Sequence, residues 1–130
     1  MVVDTSALIA VLNSEPESRR LEAVMLAAPR MTISAATLVE ASIVAESKAQ
    51  PDALAELDLL LDELRIEIIP VTREHAELAR TAYRRFGKGR HPAALNFGDC
   101  FSYALARALG QPLLIIGSDF GKTDVEVASY

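Results

Sequence analysis

The sequence predicts an α/β fold with a mostly parallel central sheet, and three observations carry that prediction. Short apolar, β-branched runs alternate with longer segments of helical periodicity along the whole chain. Residues that start or stop helices fall between the segments: Pro16, Ser34, Gly87 and Gly110. The chain has 130 residues, 51% of them hydrophobic, enough to bury one sizeable core.

The elements follow in order. MVVD reads as a short buried strand, and a helix follows over about Ser6 to Leu12. PESRRLEAVMLAA is a second helix with Pro16 near its start, where proline is tolerated. Met31 to Ile33 alternates like a strand, and SAATLVEASIVAES continues as a helix capped by the Ser34 hydroxyl. PDALAELDLLLDEL places Leu54, Leu57, Leu61 and Leu64 at amphipathic spacing. Leu59 and Leu60 add more apolar surface than one buried face requires, which fits either a protein interface or a deeply packed helix. RIEIIPV is a strand, TREHAELARTAYRRF a helix closed by Gly87, and GKGRHPAAL a polar loop. NFGDCFSYALARALG is a helix stopped by Gly110, and QPLLIIG is the last strand. No repeat, low-complexity tract or linker interrupts this order, so residues 1–130 are expected to form one domain.

Composition narrows the function classes. No apolar run approaches the roughly 18 residues that a membrane span needs. The first residues lack a basic stretch and Asp4 breaks their apolar run, so no export signal is expected. Cys100 is alone, which excludes a disulfide framework and suits a reducing cytoplasm. A net charge of −5 argues against wholesale adhesion to nucleic acid or anionic membrane, but not against a local basic patch.

Four acids occupy informative places. In open parallel sheets ligands bind beyond the carboxyl ends of the strands, where strand order reverses. Asp4 ends the first strand, Asp119 follows the last, and Asp99 lies in the first turn of the helix before it. Glu40 sits nearly two turns into its helix, among Ala36, Ile43 and Val44. A carboxylate on that apolar face needs a partner or a metal. Each of the others also has a structural reading. Asp4 suits a helix N-cap, Asp99 suits N3 of a capping box with Asn96, and Asp119 suits a turn.

Four stretches taken together are more specific. MVVDTSALIAVL, TLVEAS, LNFGDCFSYALA and PLLIIGSDF resemble the characteristic blocks of the PIN-domain family, and more narrowly its VapC toxins, over Val2 to about Val125. The resemblance implies a three-layer α/β/α domain and a metal-dependent endoribonuclease of a toxin–antitoxin pair. It implies an acidic tetrad of Asp4, Glu40, Asp99 and Asp119. Within it we assign Asp4 and Asp99 as the primary metal ligands and Asp119 as assisting, with Glu40 ligating directly or orienting the water. Ser6 would support Asp4, and Asn96 would be a polar neighbour of the site. Asp124 competes with Asp119 for the fourth place. The hard oxygen donors of such a site suit Mg2+ or Mn2+. The resemblance further implies a homodimer, inhibited by a cognate VapB antitoxin. The alternative is a non-catalytic PIN-like binding module whose acids are structural.

A basic stretch, RTAYRRFGKGRH, leads into the Asp99 helix. It carries Arg80, Arg84, Arg85, Lys88 and Arg90, out of 13 Lys and Arg in the chain. Arg84, Arg85, Lys88 and Arg90 are therefore the candidate RNA contacts, against the plainer reading of a solvated face. Other chemistries find little support. His75 and His91 lack metal-ligand spacing and are expected at the surface. The glycines of GSDFGKT are one residue too close for a phosphate-binding loop. The Asp99 carboxylate disfavours a Cys100 thiolate, so Cys100 is expected in the core.

Overall fold

The computed structural model describes residues 1–47 and 51–130. Strands β1 (Val2–Val3), β2 (Met31–Ser34), β3 (Ile66–Ile69) and β4 (Leu113–Leu114) form a wholly parallel sheet in the order β3-β2-β1-β4. The chain builds outward from β1 through β2 to β3, then returns to place β4 on the other side of β1. Strand order therefore reverses between β1 and β4, where an open sheet leaves a crevice beyond its carboxyl ends.

Helices cover both faces. Successive strand residues point to opposite sides. Val3 and Leu114 enter one core with Leu8 of α1 (Thr5–Leu12), Leu21 and Met25 of α2 (Ser18–Ala27), Ala41 of α3 (Ala35–Ser47), and Leu57 and Leu61 of α4 (Ala53–Glu63). Val2 and Leu113 enter the other, with Phe86 of α5 (Arg73–Phe86) and Tyr103 and Leu105 of α6 (Phe97–Leu109). The result is the expected three-layer arrangement. No helix among the described residues is long and apolar enough to cross a membrane.

The helix boundaries have local causes. The Ser34 hydroxyl accepts the Ala36 N–H at 3.3 Å at the start of α3. Thr72 caps α5 by accepting the His75 N–H at 3.2 Å. Gly110 ends α6 in the left-handed region at φ +59°, which costs glycine nothing. Gly87 ends α5 for a different reason, since a Cβ there would collide with the Tyr83 carbonyl. Two expectations need correction. Leu54 is exposed, and Ala53 takes its place beside Leu57 and Leu61 in the buried stripe of α4. Leu59 is exposed as well, so of the two readings of the surplus leucines the deeply packed helix does not hold for it. His75 is buried, not a surface residue: it faces inward from the first turn of α5, and its Nδ1 has no partner among the described residues.

Candidate active site

Asp4 stands at the end of β1 with an extended backbone, φ −93° and ψ 159°, and its carboxylate turns back over the helix it starts. Its Oδ2 accepts from the Ser6 N–H at 3.0 Å and the Ser6 hydroxyl at 2.7 Å; its Oδ1 accepts from the Ser102 hydroxyl at 2.6 Å. The capping role is therefore real. It also fixes the carboxylate, because Ser6 Oγ accepts the Ile116 N–H at 3.0 Å and so ties β1 to the chain leaving β4. Ser102 gives its one proton to Asp4, so at 3.2 Å the Thr37 hydroxyl is the donor to Ser102. Thr37, Ser102 and Asp4 are all buried.

Asp99 also has two duties. Its backbone N–H donates to Asn96 Oδ1 at 2.9 Å, and its Oδ2 accepts the Asn96 N–H at 2.8 Å, a complete capping box. Burial pushes its carboxyl up to about 6; the Asn96 N–H opposes this, and the charges of Asp4 and Asp119 add to it.

Glu40, on the face of α3 turned toward Asp4 and Asp99, is likewise raised. Burial is the main cause, the two neighbouring carboxylates add to it, and the Thr5 hydroxyl opposes it. Its Oε2 is buried with no hydrogen-bond partner among the described residues. The side chain runs so close over α6 that a Cβ on Gly98 would overlap its carboxylate.

Asp4, Glu40 and Asp99 line one open hollow of about 300 Å3, together with Thr5, Ser6 and Glu15. No lysine, arginine or histidine forms an ion pair with any of these three acids among the described residues. Asp119 sits outside the hollow, just before a short 3-10 turn (Phe120–Lys122), with Lys122 Nζ at 3.8 Å. Asp124 is committed elsewhere. It accepts from Arg85 at 3.0 Å and from the Tyr103 hydroxyl at 2.7 Å. Arg85 also lies over the Phe86 ring at 4.6 Å, whereas Arg80, Arg84, Lys88 and Arg90 form no ion pair among the described residues. Cys100 is buried as expected, and burial with the Asp99 charge pushes its thiol up to about 11.

Sequence reasoning missed Thr37, Ser102, Gly98 and Glu15. A spacing signal existed for the first two. Thr37 precedes Glu40 by three residues and Ser102 follows Asp99 by three, so each shares a helix face with its acid.

The raised acids imply a pH dependence. Between the ordinary range of Asp99 and about 6 the folded protein holds more protons than the unfolded chain, so their contribution to stability grows as pH falls. In metal-free buffer, the melting temperature of the wild type relative to Asp99→Asn should therefore rise as pH is lowered from about 7.5 to about 5.5. A difference that is flat or falls would contradict this electrostatic picture.

The PIN domain family model matches residues 1–126. This chain belongs to the PIN-domain family. A protein of Mycolicibacterium smegmatis named Ribonuclease VapC is 50% identical over 125 residues, 96% of this chain and 97% of that protein. Ribonuclease VapC30 of Mycobacterium tuberculosis is 46% identical over 125 residues, 96% of this chain and 95% of that protein. Among solved structures, the VapC20 toxin of Mycobacterium tuberculosis, described as cleaving the sarcin–ricin loop, superposes with a TM-score of 0.77 at 20% identity, covering 99% of this chain and 98% of that one. VapBC2 of Rickettsia felis, bound to promoter DNA, gives 0.74 at 20% identity, covering 98% of this chain and 96% of that one. These structures share the layered fold described above.

Proposed function

We propose that this chain is a metal-dependent endoribonuclease, the toxin of a toxin–antitoxin pair. One observation carries the reading. Three carboxylates from separate elements, Asp4, Glu40 and Asp99, line one hollow beside the strand-order reversal, and no cation among the described residues neutralises them. Capping explains Asp4 and Asp99 singly, but it gives no reason to gather them with Glu40 around one hollow, where no base relieves their mutual repulsion. The ribonuclease names of the mycobacterial relatives, at 46–50% identity, support the same activity.

The donor set suits Mg2+ or Mn2+. Every side-chain donor is oxygen, and the buried Oε2 of Glu40, which has no hydrogen-bond partner among the described residues, is an acceptor that a metal-bound water would satisfy. As placed, no three His, Cys, Asp or Glu side chains among the described residues form a group that could hold a metal. Mg2+ does not need such a cage, because it takes one or two carboxylates and keeps several waters. Asp4 and Asp99 would hold the ion. When bound, it supplies charge stabilisation at the phosphate and lowers the pKa of its water.

The rest of the chemistry is positioning. Ser6 and Ser102 hold the Asp4 carboxylate in place at the wall of the hollow. Asn96 sets the rotamer of Asp99 through the capping box. Glu40 orients a water through Oε2, and Asp119 assists from the rim. Arg84, Lys88 and Arg90 take RNA phosphates, while Arg85 keeps its tie to Asp124. The resemblance to a toxin–antitoxin complex from Klebsiella pneumoniae and to VapBC2 of Rickettsia felis supports an antitoxin of VapB type as partner. The active toxin is read as a homodimer on the family resemblance of the sequence alone.

The test is cleavage of a mixed cellular RNA by purified protein. Chelation with EDTA should abolish cleavage, and excess Mg2+ or Mn2+ should restore it. Cleavage that persists unchanged in EDTA would refute the metal-dependent mechanism.

A further inference from the structure

Two fully buried hydroxyls, Thr37 of α3 and Ser102 of α6, are bonded in series to Asp4 yet do not line the acidic hollow. A buried hydroxyl must find a partner or lose its hydration uncompensated. Within a helix the nearest acceptor is the carbonyl about one turn back, and α3 uses it elsewhere: the Ser42 hydroxyl donates to the Leu38 carbonyl at 2.8 Å. Thr37 and Ser102 turn outward instead. The Thr37 hydroxyl donates to Ser102 Oγ at 3.2 Å, 65 residues away, and Ser102 donates to Asp4 Oδ1 at 2.6 Å.

These two bonds cross three elements, α3, α6 and the end of β1. Each hydroxyl is also three residues from an acid on its own helix: Thr37 precedes Glu40 and Ser102 follows Asp99. The bond between the hydroxyls therefore joins the helices that present Glu40 and Asp99, one turn from each acid. Both protons run toward Asp4, and the one that reaches it makes the shorter, charge-assisted bond. Core packing gives no reason for oxygen at either position, because valine at 37 and alanine at 102 would fill nearly the same space with no polar group to satisfy.

We propose that Thr37 is a positioning residue for the cation site: its hydroxyl orients Ser102, which fixes Asp4, and the same bond sets the spacing of the helices that carry Glu40 and Asp99. This role rests on the metal-dependent reading and deepens it by naming a residue that touches neither the cation nor the RNA. Partners of this kind hold a ligand at its productive angle, so their loss is felt in metal affinity although no ligand has changed.

The test is Mn2+ affinity, read from the electron paramagnetic resonance signal of the free ion as protein is titrated in. Thr37→Val keeps the shape and removes the hydroxyl; Thr37→Ser keeps the hydroxyl and removes a methyl. Thr37→Val should weaken Mn2+ binding about 2- to 10-fold, the worth of one neutral hydrogen bond. Ser102→Ala should weaken it about 10- to 100-fold, as when a ligand loses its supporting partner. Thr37→Ser should bind as the wild type does, although the lost methyl lowers its melting temperature. Because the two bonds act in series, Thr37→Val combined with Ser102→Ala should bind no more weakly than Ser102→Ala alone. Thr37→Ala against Thr37→Ser repeats the hydroxyl contrast in a smaller side chain, and decides the matter if Thr37→Val does not fold. A hydroxyl-free variant that binds as tightly as its hydroxyl-bearing counterpart, or additive losses in the double variant, overturns the proposal. If the wild type takes up Mn2+ and Thr37→Val matches it, Thr37 is a packing residue and the metal-dependent reading stands. If the wild type takes up no Mn2+, both fail.

Discussion

Replacing Asp99 with asparagine should lower RNA cleavage by about 100- to 1,000-fold, the range seen when one preorganised electrostatic group is removed from a reacting centre. The fold should survive. The Asp99 backbone N–H still donates to Asn96 Oδ1, and the new side-chain carbonyl oxygen can still accept the Asn96 N–H, so the start of α6 keeps its capping box. Stability should hold or rise at neutral pH, because a half-buried carboxylate held up to about 6 by burial and by neighbouring acids no longer has to ionise. Activity and stability therefore move apart. A melting experiment beside a cleavage assay reads both. An Asp99→Asn protein that melts as the wild type does and cuts RNA at the wild-type rate would leave Asp99 as a helix cap and nothing more.

Gly98→Ala should be nearly as damaging by a route that touches no ligand. A Cβ at position 98 would occupy the space of the Glu40 carboxylate, the flexible end of its side chain, so the carboxylate must swing out of the hollow. The backbone gives no reason for harm. Gly98 is not among the glycines with positive φ, and alanine favours a helix over glycine by about 1 kcal/mol. Cleavage should fall about 10- to 100-fold, as when a metal site loses its outer support, while the melting temperature stays or rises. Pairing Gly98→Ala with Glu40→Gln tests the route. If both act through one carboxylate, the double variant is no worse than Glu40→Gln alone. Additive losses would mean that Gly98 serves some other purpose.

How much of this was readable beforehand differs from residue to residue. The alternation of elements gave the layers, since caps such as Ser34, Thr72 and Gly110 act within a few residues and leave a local trace. The strand order β3-β2-β1-β4 was not readable, and it is what places Asp4 beside the crevice. For Asp4 and Asp99 the sequence posed capping against catalysis as alternatives. The geometry places each at a helix start and on the acidic hollow at once, and the caps hold them there. Glu40 looked anomalous on an apolar face, and its unpartnered Oε2 is the physical form of that anomaly. Long-range partners were invisible. Asp124 finds Arg85, 39 residues away, and Ser102 finds Asp4, 98 residues away. His75 looked like a surface residue because the neighbours in its own segment are charged, yet the first turn of α5 aims it inward.

The central claim is that the hollow lined by Asp4, Glu40 and Asp99 holds a divalent cation. Manganese is a direct reporter, because its anomalous scattering locates the ion in a crystal without assumptions about ligands. In crystals grown with Mn2+, the account predicts a peak within bonding distance of Asp4 and Asp99, absent from crystals of Asp4→Asn. A hollow that stays free of manganese at millimolar Mn2+, or a peak only at remote surface acids, would contradict it.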